Sequence, residues 1–298
     1  MKIRFIINPI SGTGKQTRIE DTIAKHLDNY DIVYTQKSRD ATRLSSEAVR
    51  DDIDAVVAVG GDGTVNECLI GLVNSNTALG IIPCGSGNGF AYHIGMGRTV
   101  EKAIVQLKDA KTETIDSCTA NGAPFVNVSG IGFDAHIANL FAALKVRGLI
   151  NYLKVILKEL SYKPQEYTIQ YKGIERKVTA YMISCFNASQ YGNNARILPM
   201  ADIKDGLIDF VIVNNFPRWK IPFFLLKVAT GKAHLSKYVE IIKCRQMQIS
   251  AENTLLHLDG EPYKTSNPVE IKVIPKSLKI LMPDGKEEEK QKRSYVLN

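Results

Sequence analysis

Asp54–Leu72 reads DAVVAVGGDGTVNECLIGL, and the order of its parts decides the fold. Asp54 to Gly60 is an apolar run with no polar face, the pattern of a strand buried on both sides of a parallel sheet. Gly60-Gly61-Asp62-Gly63 interrupts it, and Val65, Cys68, Leu69 and Leu72 then recur at helical spacing. A buried strand turning through glycines into a helix is the repeating unit of a doubly wound α/β domain. Such sheets bind their ligands where the strands end.

Working outward, the same alternation continues on both sides. KIRFIIN (Lys2 to Asn8) reads as a strand, followed by Ile19, Ile23 and Leu27 on one helix face. DIVYT (Asp31 to Thr35) and ALGIIP (Ala78 to Pro83) read as two more strands. After about Asp116 the pattern changes. Asn121-Gly122 between two β-like runs signals a type I′ hairpin. Strands are expected at Tyr167–Tyr171, Val178–Phe186, Leu207–Val213 and Val269–Ile274, with helical stretches at Ala135–Leu160 and Pro217–Gly231. The expectation is therefore an α/β nucleotide-binding domain over residues 1–117 and a mainly antiparallel, β-rich domain over 118–276. The tail, 277–298, is expected to return to the first domain.

Composition narrows the class. The 298 residues are 44% hydrophobic and 23% charged, with a net charge of +7. A basic surplus favours an anionic partner, but no basic run carries a nucleic-acid signature, so nucleic acid is not expected. The five cysteines stand singly, without metal-ligand spacing, which fits a reducing, cytoplasmic compartment. No stretch approaches the roughly 18 apolar residues that span a bilayer.

Three glycine-bearing turns follow predicted strands: Asn8-Pro9-Ile10-Ser11-Gly12, Gly60 to Glu67, and Pro83-Cys84-Gly85-Ser86-Gly87-Asn88-Gly89. Glycine lets backbone amides approach phosphate oxygens closely, and a helix N-terminus adds partial positive charge. An acid such as Asp62 inside a phosphate loop needs a metal ion or a proton-transfer role to justify it; capping of the helix is the plainer alternative. The first turn is not a Walker A loop. Gly14-Lys15 would require Gly where Pro9 stands and Ser or Thr where Gln16 stands. Two further elements lie later: Leu258-Asp259-Gly260-Glu261-Pro262, ordinarily a hairpin turn, and the stretch from Gly192 to Asp209.

These elements, in this order, resemble the diacylglycerol kinase catalytic-domain family, which includes soluble bacterial diacylglycerol kinases, sphingosine kinases and ceramide kinases. The matching motifs are NPISG, GGDGTVNE, PCGSGNGFA, FVNVSGIGFDA (Phe125–Ala135), YGNNARILPMADIKDG and LDGEP, spanning Asn8 to Pro262. The resemblance implies an α/β nucleotide domain followed by a β-sandwich lipid domain, and an ATP- and Mg²⁺-dependent kinase acting on the hydroxyl of a long-chain lipid. It implies ATP contacts at Asn8, Ser11, Gly12, Gly61, Gly63, Thr64, Ser86 and Asn88, with Thr35, Gly60, Glu67, Gly85 and Gly87 in the same set. Asp62 and Glu261 are its two candidate catalytic acids. Asp116 and Asp134 are implied at the substrate cleft, and Asp202, Asp205 and the Leu207 carbonyl near a structural metal, although Lys204 stands where another acid is common. The third loop reads Gly85-Ser86-Gly87-Asn88-Gly89-Phe90-Ala91, where many diacylglycerol kinases have Gly-Thr-Gly-Asn-Asp-Phe-Ala. That tilts the expected substrate toward a sphingoid base.

A lipid kinase must reach a bilayer surface. From Phe216 to Lys237 the chain has five Lys or Arg and no Asp or Glu, with Trp219, Phe223 and Phe224 among them. This suits a helix at an anionic membrane interface; a helix packed on the sheet with a basic outer face is the alternative. Leu140–Leu160, punctuated by Lys145, Arg147, Lys154 and Lys158, is a second candidate. A homodimer is left open. Two rival readings are an NAD kinase-like enzyme and a nucleotide- or lipid-binding sensor without turnover.

Overall fold

The computed structural model describes residues 1–11, 18–144, 149–193 and 195–284. The chain divides into two compact units. The first comprises Met1–Ile115 with the segment from Ser277, and the second Asp116–Lys276.

The first unit alternates β1 (Ile3–Ile7), α1 (Ile19–His26), β2 (Tyr30–Tyr34), α2 (Asp40–Arg50), β3 (Ala55–Gly60), α3 (Asp62–Leu72), β4 (Ala78–Pro83), α4 (Gly89–His93) and α5 (Val100–Lys108). The strands run parallel in the order β2-β1-β3-β4, with Ile3, Phe5 and Ile7 of β1 opposite Ala55, Val57 and Val59 of β3. Every residue of β3 and β4 is buried, as the unbroken apolar runs require. From β1 the chain goes to β2 on one side and then to β3 on the other. The switch point thus lies between β1 and β3, where open α/β sheets bind ligands at the strands' carboxyl ends.

The second unit is mainly antiparallel. Its elements are β5 (Lys111–Ala120, entering from the first unit), β6 (Ala123–Phe125), β7 (Val128–Gly132), α6 (Phe133–Ala142), α7 (Leu149–Lys158), β8 (Gln165–Tyr171), β9 (Ile174–Phe186) and β10 (Ile208–Asn214). They continue with α8 (Ile221–Ala229), β11 (Val239–Cys244), β12 (Gln246–Ala251), β13 (Leu255–Leu258), β14 (Glu261–Lys264) and β15 (Val269–Met282, leaving for the first unit). The ladder runs β14-β13-β7-β9-β8-β12-β15, and β9 also pairs with β10, which pairs with β11. Asn121 and Gly122, both at positive φ, close the β5–β6 hairpin with Ala120 opposite Ala123, the expected type I′ turn. β10 is buried on both faces. Ile208, Phe210 and Ile212 enter a core with Phe125, Tyr167 and Met247, while Val211 and Val213 pack with Phe186, Phe216 and Leu198 on the other side.

The architecture is the expected one: a mixed α/β N-terminal domain followed by a β-sandwich-like C-terminal domain.

Candidate active site

The three glycine-bearing turns follow the carboxyl ends of β1, β3 and β4, neighbouring strands of the first unit. Asn8 leaves β1 and donates from Nδ2 to Thr64 Oγ1 at 3.2 Å, joining the first turn to the start of α3. The third turn closes on itself: the Gly85 amide donates to Asn88 Oδ1 (2.9 Å) and Asn88 Nδ2 donates to the Gly85 carbonyl (2.8 Å). Asp62 joins the second turn to the third. Its Oδ2 accepts from the Asn88 amide and its Oδ1 from the Gly89 amide, each at 2.8 Å. A Cβ on Gly85 would lie 2.5 Å from Gly61 Cα, so the two turns meet backbone to backbone and glycine is obligatory there. No side chain caps the N-terminus of α3, where Gly61 is the cap residue. The first-turn amides of a helix lack intrahelical acceptors, so this end offers donors and partial positive charge to an anion.

The other residues expected at the nucleotide divide by task. Ser11 and Gly63 lie in these turns and are partly exposed, Ser86 is exposed and Gly87 partly so; Gly60 is buried at the end of β3, and Gly12 lies outside the described residues. Thr35 follows β2 at the same sheet edge, its amide bonded to the Ile7 carbonyl. Glu67 has a different partner. Its carboxylate accepts from the Arg39 amide (2.9 Å) and the Ala41 amide (3.1 Å), so it caps α2. Asn88 is only 4% exposed, and its amide group is spent on the loop's own backbone and on Tyr92 Oη (3.2 Å). It shapes the turn.

In the second unit, Asp259 and Gly260 form the two-residue turn between β13 and β14, with Leu258 opposite Glu261. The Asp259 carboxylate accepts from three consecutive amides, Val126 (3.1 Å), Asn127 (2.8 Å) and Val128 (3.1 Å). A buried carboxylate holding three amides fixes the turn in place. Glu261 begins β14 immediately afterwards and is exposed. Beneath the turn lies a buried polar cluster. The Gly260 amide donates to His257 Nδ1 (3.2 Å), so a neutral His257 carries its proton on Nε2, which faces Asp134 Oδ2 at 3.4 Å. Asp134 Oδ2 also accepts from Ser184 Oγ (2.6 Å) and Tyr191 Oη (3.1 Å). Burial first, then the Asp134 charge, hold the Tyr191 phenol well above its ordinary range, so it stays a donor. Sequence reasoning missed Asp259, His257, Ser184 and Tyr191. Asp259 and Tyr191 lie inside the LDGEP and YGNNARILPMADIKDG motifs, and His257 stands two residues before an Asp-Gly turn, but none of these marks the cluster.

Asp116 is 1% exposed, and its oxygens accept from the Gly206 and Lys276 amides at 2.7 and 2.8 Å. Both oxygens are engaged by backbone. The residues expected near a structural metal do not fit a resident cation. Lys243 Nζ lies 2.7 Å from Asp205 Oδ2 and 3.5 Å from Asp209 Oδ2, so an ammonium supplies the positive charge. The remaining Asp205 oxygen accepts from the Leu207 amide, and Asp202 accepts from the Lys204 amide. Among the described residues no three His, Cys, Asp or Glu side chains gather around a cation site.

Comparison with known proteins supports the two-domain reading over most of the chain. Residues 2–120 match the model of the diacylglycerol kinase catalytic domain, and residues 127–282 match the YegS C-terminal NAD kinase beta sandwich-like domain. A protein of Chromohalobacter salexigens named "Probable lipid kinase YegS-like" is 30% identical over 259 residues, covering 84% of this chain and 83% of that protein. A diacylglycerol kinase of Mycobacterium tuberculosis is 28% identical over 296 residues, covering 95% of each. The crystal structure of a diacylglycerol kinase from Bacillus anthracis str. Sterne shares the fold, with a TM-score of 0.73 at 21% identity over 95% of this chain and 97% of that one. With both domain models matched in order and curated relatives aligned over most of their length, this chain belongs to the diacylglycerol kinase catalytic-domain family of lipid kinases.

Proposed function

We propose that the chain is an ATP-dependent kinase that transfers the γ-phosphate to the hydroxyl of a long-chain lipid, a sphingoid base or diacylglycerol. Family membership makes it a phosphotransferase of the lipid kinase class. The observation that carries the finer reading is the interlocked set of turns after β1, β3 and β4, with the uncapped start of α3 among them. Backbone amides held this way suit a polyphosphate, and the meeting of Gly61 with Gly85 keeps side chains out of the junction. Asp62 is the carboxylate of that cradle, and a carboxylate oxygen is the ligand type that Mg²⁺ takes. An ion brought in with the nucleotide would take most of its oxygens from phosphate and water, as Mg²⁺ ordinarily does. When bound, Mg²⁺ offsets phosphate charge.

The two candidate acids take different roles in this reading. Asp62 has both oxygens committed to amides of the third turn and acts as the brace that shapes the cradle. Glu261 is exposed at the head of β14, on a turn that Asp259 fixes. It accepts the hydroxyl proton as the lipid oxygen bonds to the γ-phosphorus and the bond from that phosphorus to ADP breaks.

Comparing Glu261→Gln with Asp62→Asn tests the assignment. Glu261→Gln should lower the rate of lipid phosphorylation by about 10²–10⁴-fold and leave ATP affinity unchanged. Asp62→Asn presents an NH₂ group to one of the two amides that now bond a carboxylate oxygen. It should weaken ATP binding as well as lower the rate. A Glu261→Gln enzyme with a near wild-type rate would remove Glu261 as the base.

A further inference from the structure

The helix α8 has two apolar faces and only one of them is covered. Ile221, Phe224 and Val228 pack inward against a core that includes Val211, Val213 and Phe216. The opposite side carries Phe223 and Leu226, one turn apart, at 63% and 62% exposure. Trp219 (69%) precedes the helix and Leu235 (66%) follows it. Large side chains this exposed are ordinary when scattered, but four of them within seventeen residues form a patch that calls for an occupant.

The chemistry around the patch says which occupant. Arg218, Lys220, Lys227, Lys232 and Lys237 lie in the same segment, and no Asp or Glu occurs from Phe216 to Val239. Arg218, Lys232 and Lys237 are exposed. Lys220 Nζ sits 4.9 Å from the Trp219 ring centroid and donates to Tyr238 Oη at 2.8 Å, so it holds its charge beside the exposed indole. Arg218 Nη2 donates to the Ser161 carbonyl (3.1 Å), just beyond the end of α7, where Leu157 is 58% exposed between exposed Lys154 and Lys158. A protein partner would satisfy the apolar groups but would leave this one-signed charge to be matched by a dedicated acidic rim. An anionic bilayer matches both together, with acyl chains for the aromatic and aliphatic groups and headgroups for the cations.

We propose that this face, formed by Arg218–Lys220, the outer side of α8 and Leu235, is a docking surface for an anionic lipid bilayer. It stands on exposure and charge, independently of phosphoryl transfer, and goes beyond the assignment of a lipid acceptor. The outer side chains sink into the headgroup–acyl boundary while the inner ones anchor the helix to the second unit.

The test is flotation of the full chain, without nucleotide, with vesicles of phosphatidylglycerol and phosphatidylcholine against phosphatidylcholine alone, at low and high salt. Two variants are compared with wild type: Phe223→Ser with Leu226→Ser, and Arg218→Gln with Lys232→Gln and Lys237→Gln. Each cation near an anionic surface contributes about fivefold in binding. The triple Gln variant should therefore lose at least about tenfold in affinity for anionic vesicles, and most of its salt dependence. The double Ser variant should lose binding at both salt concentrations. Both should keep the wild-type melting temperature and wild-type turnover of a short-chain, water-soluble acceptor. Wild type failing to float with anionic vesicles, or both variants floating as wild type does, overturns the proposal. So does sedimentation showing that the double Ser change only converts a dimer into a monomer. Loss of the kinase reading would leave the vesicle result untouched, because no turnover enters it.

Discussion

At the residue scale, carboxylates that look alike in the sequence perform different tasks. Asp62 braces two turns, Asp259 holds three amides, Asp116 holds two, and Glu67 caps a helix. Glu261 stands exposed on its fixed turn. The glycines that mark the three turns were legible because only glycine allows such close backbone approach. The partners of the acids were not, because each binds amides far away in sequence that only the fold brings near. His257 shows the same gap: it has no neighbour in a sequence cluster, yet its ring faces Asp134. Lys243 gives this scale its prediction. Burial pulls its pKa down, but the hydrogen bond to Asp205 and the charges of Asp209 and Asp205 outweigh that and raise it. Lys243→Met removes the ammonium and should cost about 1–3 kcal/mol, since two partly buried carboxylates are left facing each other. Burial already raises the pKa of Asp209, and Lys243 opposes that rise. Without Lys243 the folded-state pKa climbs further, so stability is lost as pH rises through it and the deficit narrows on acidification. Thermal melts from neutral to acid pH, with and without a chelator, check this. The wild-type melting temperature should ignore the chelator, and sensitivity to it would restore a metal to this place.

At the element scale, periodicity carried most of the fold. The unbroken apolar runs of β3 and β4 and the stripe Val65, Cys68, Leu69 and Leu72 became buried strands and a packed helix face. The stretch expected to be helical over Ala135–Leu160 contains α6 and α7, with residues 145–148 outside the described ones. β11, β12 and β13 were not among the expected strands. The alternation of Met247, Ile249 and Ala251 with Gln246, Gln248 and Ser250 in β12 was a readable signal of a half-buried strand, but a short one. The basic aromatic segment was readable as a core helix or as an interfacial one, and composition could not separate these because α8 is apolar on both sides. The two faces differ in burial, which gives a direct test by melting. Phe210→Ala in β10, at 0% exposure, should cost about 3–5 kcal/mol. Phe223→Ala in α8, at 63% exposure, should stay within about 0.5 kcal/mol. Equal losses would mean that Phe223 is part of the core and would remove it from any docking face.

At the scale of the whole molecule, two units of different construction share one chain. The first is a parallel sheet whose glycine turns cluster where ligands of such sheets bind, and the second is an antiparallel sandwich with a buried polar cluster beneath Glu261. No helix among the described residues is long and apolar enough to cross a membrane. The change from strand–helix alternation to closely spaced strands near Asp116 made the two-part organisation legible. The motif order from Asn8 to Pro262 made the family legible, because no single loop specifies it: an acidic glycine loop alone also suits an NAD kinase-like enzyme. The lipid itself was not legible, since acyl chains are read by apolar shape, which many side chains supply equally well. The central claim is transfer of phosphate from ATP to a lipid hydroxyl. The most direct measurement is incorporation of label from γ-labelled ATP by the purified chain, with sphingoid bases, diacylglycerol and ceramide in mixed micelles and NAD as the competing acceptor. A labelled lipid phosphate, with no labelled NADP, is the predicted result. Labelled NADP without lipid product, or ATP binding with no transfer to any lipid, would contradict it.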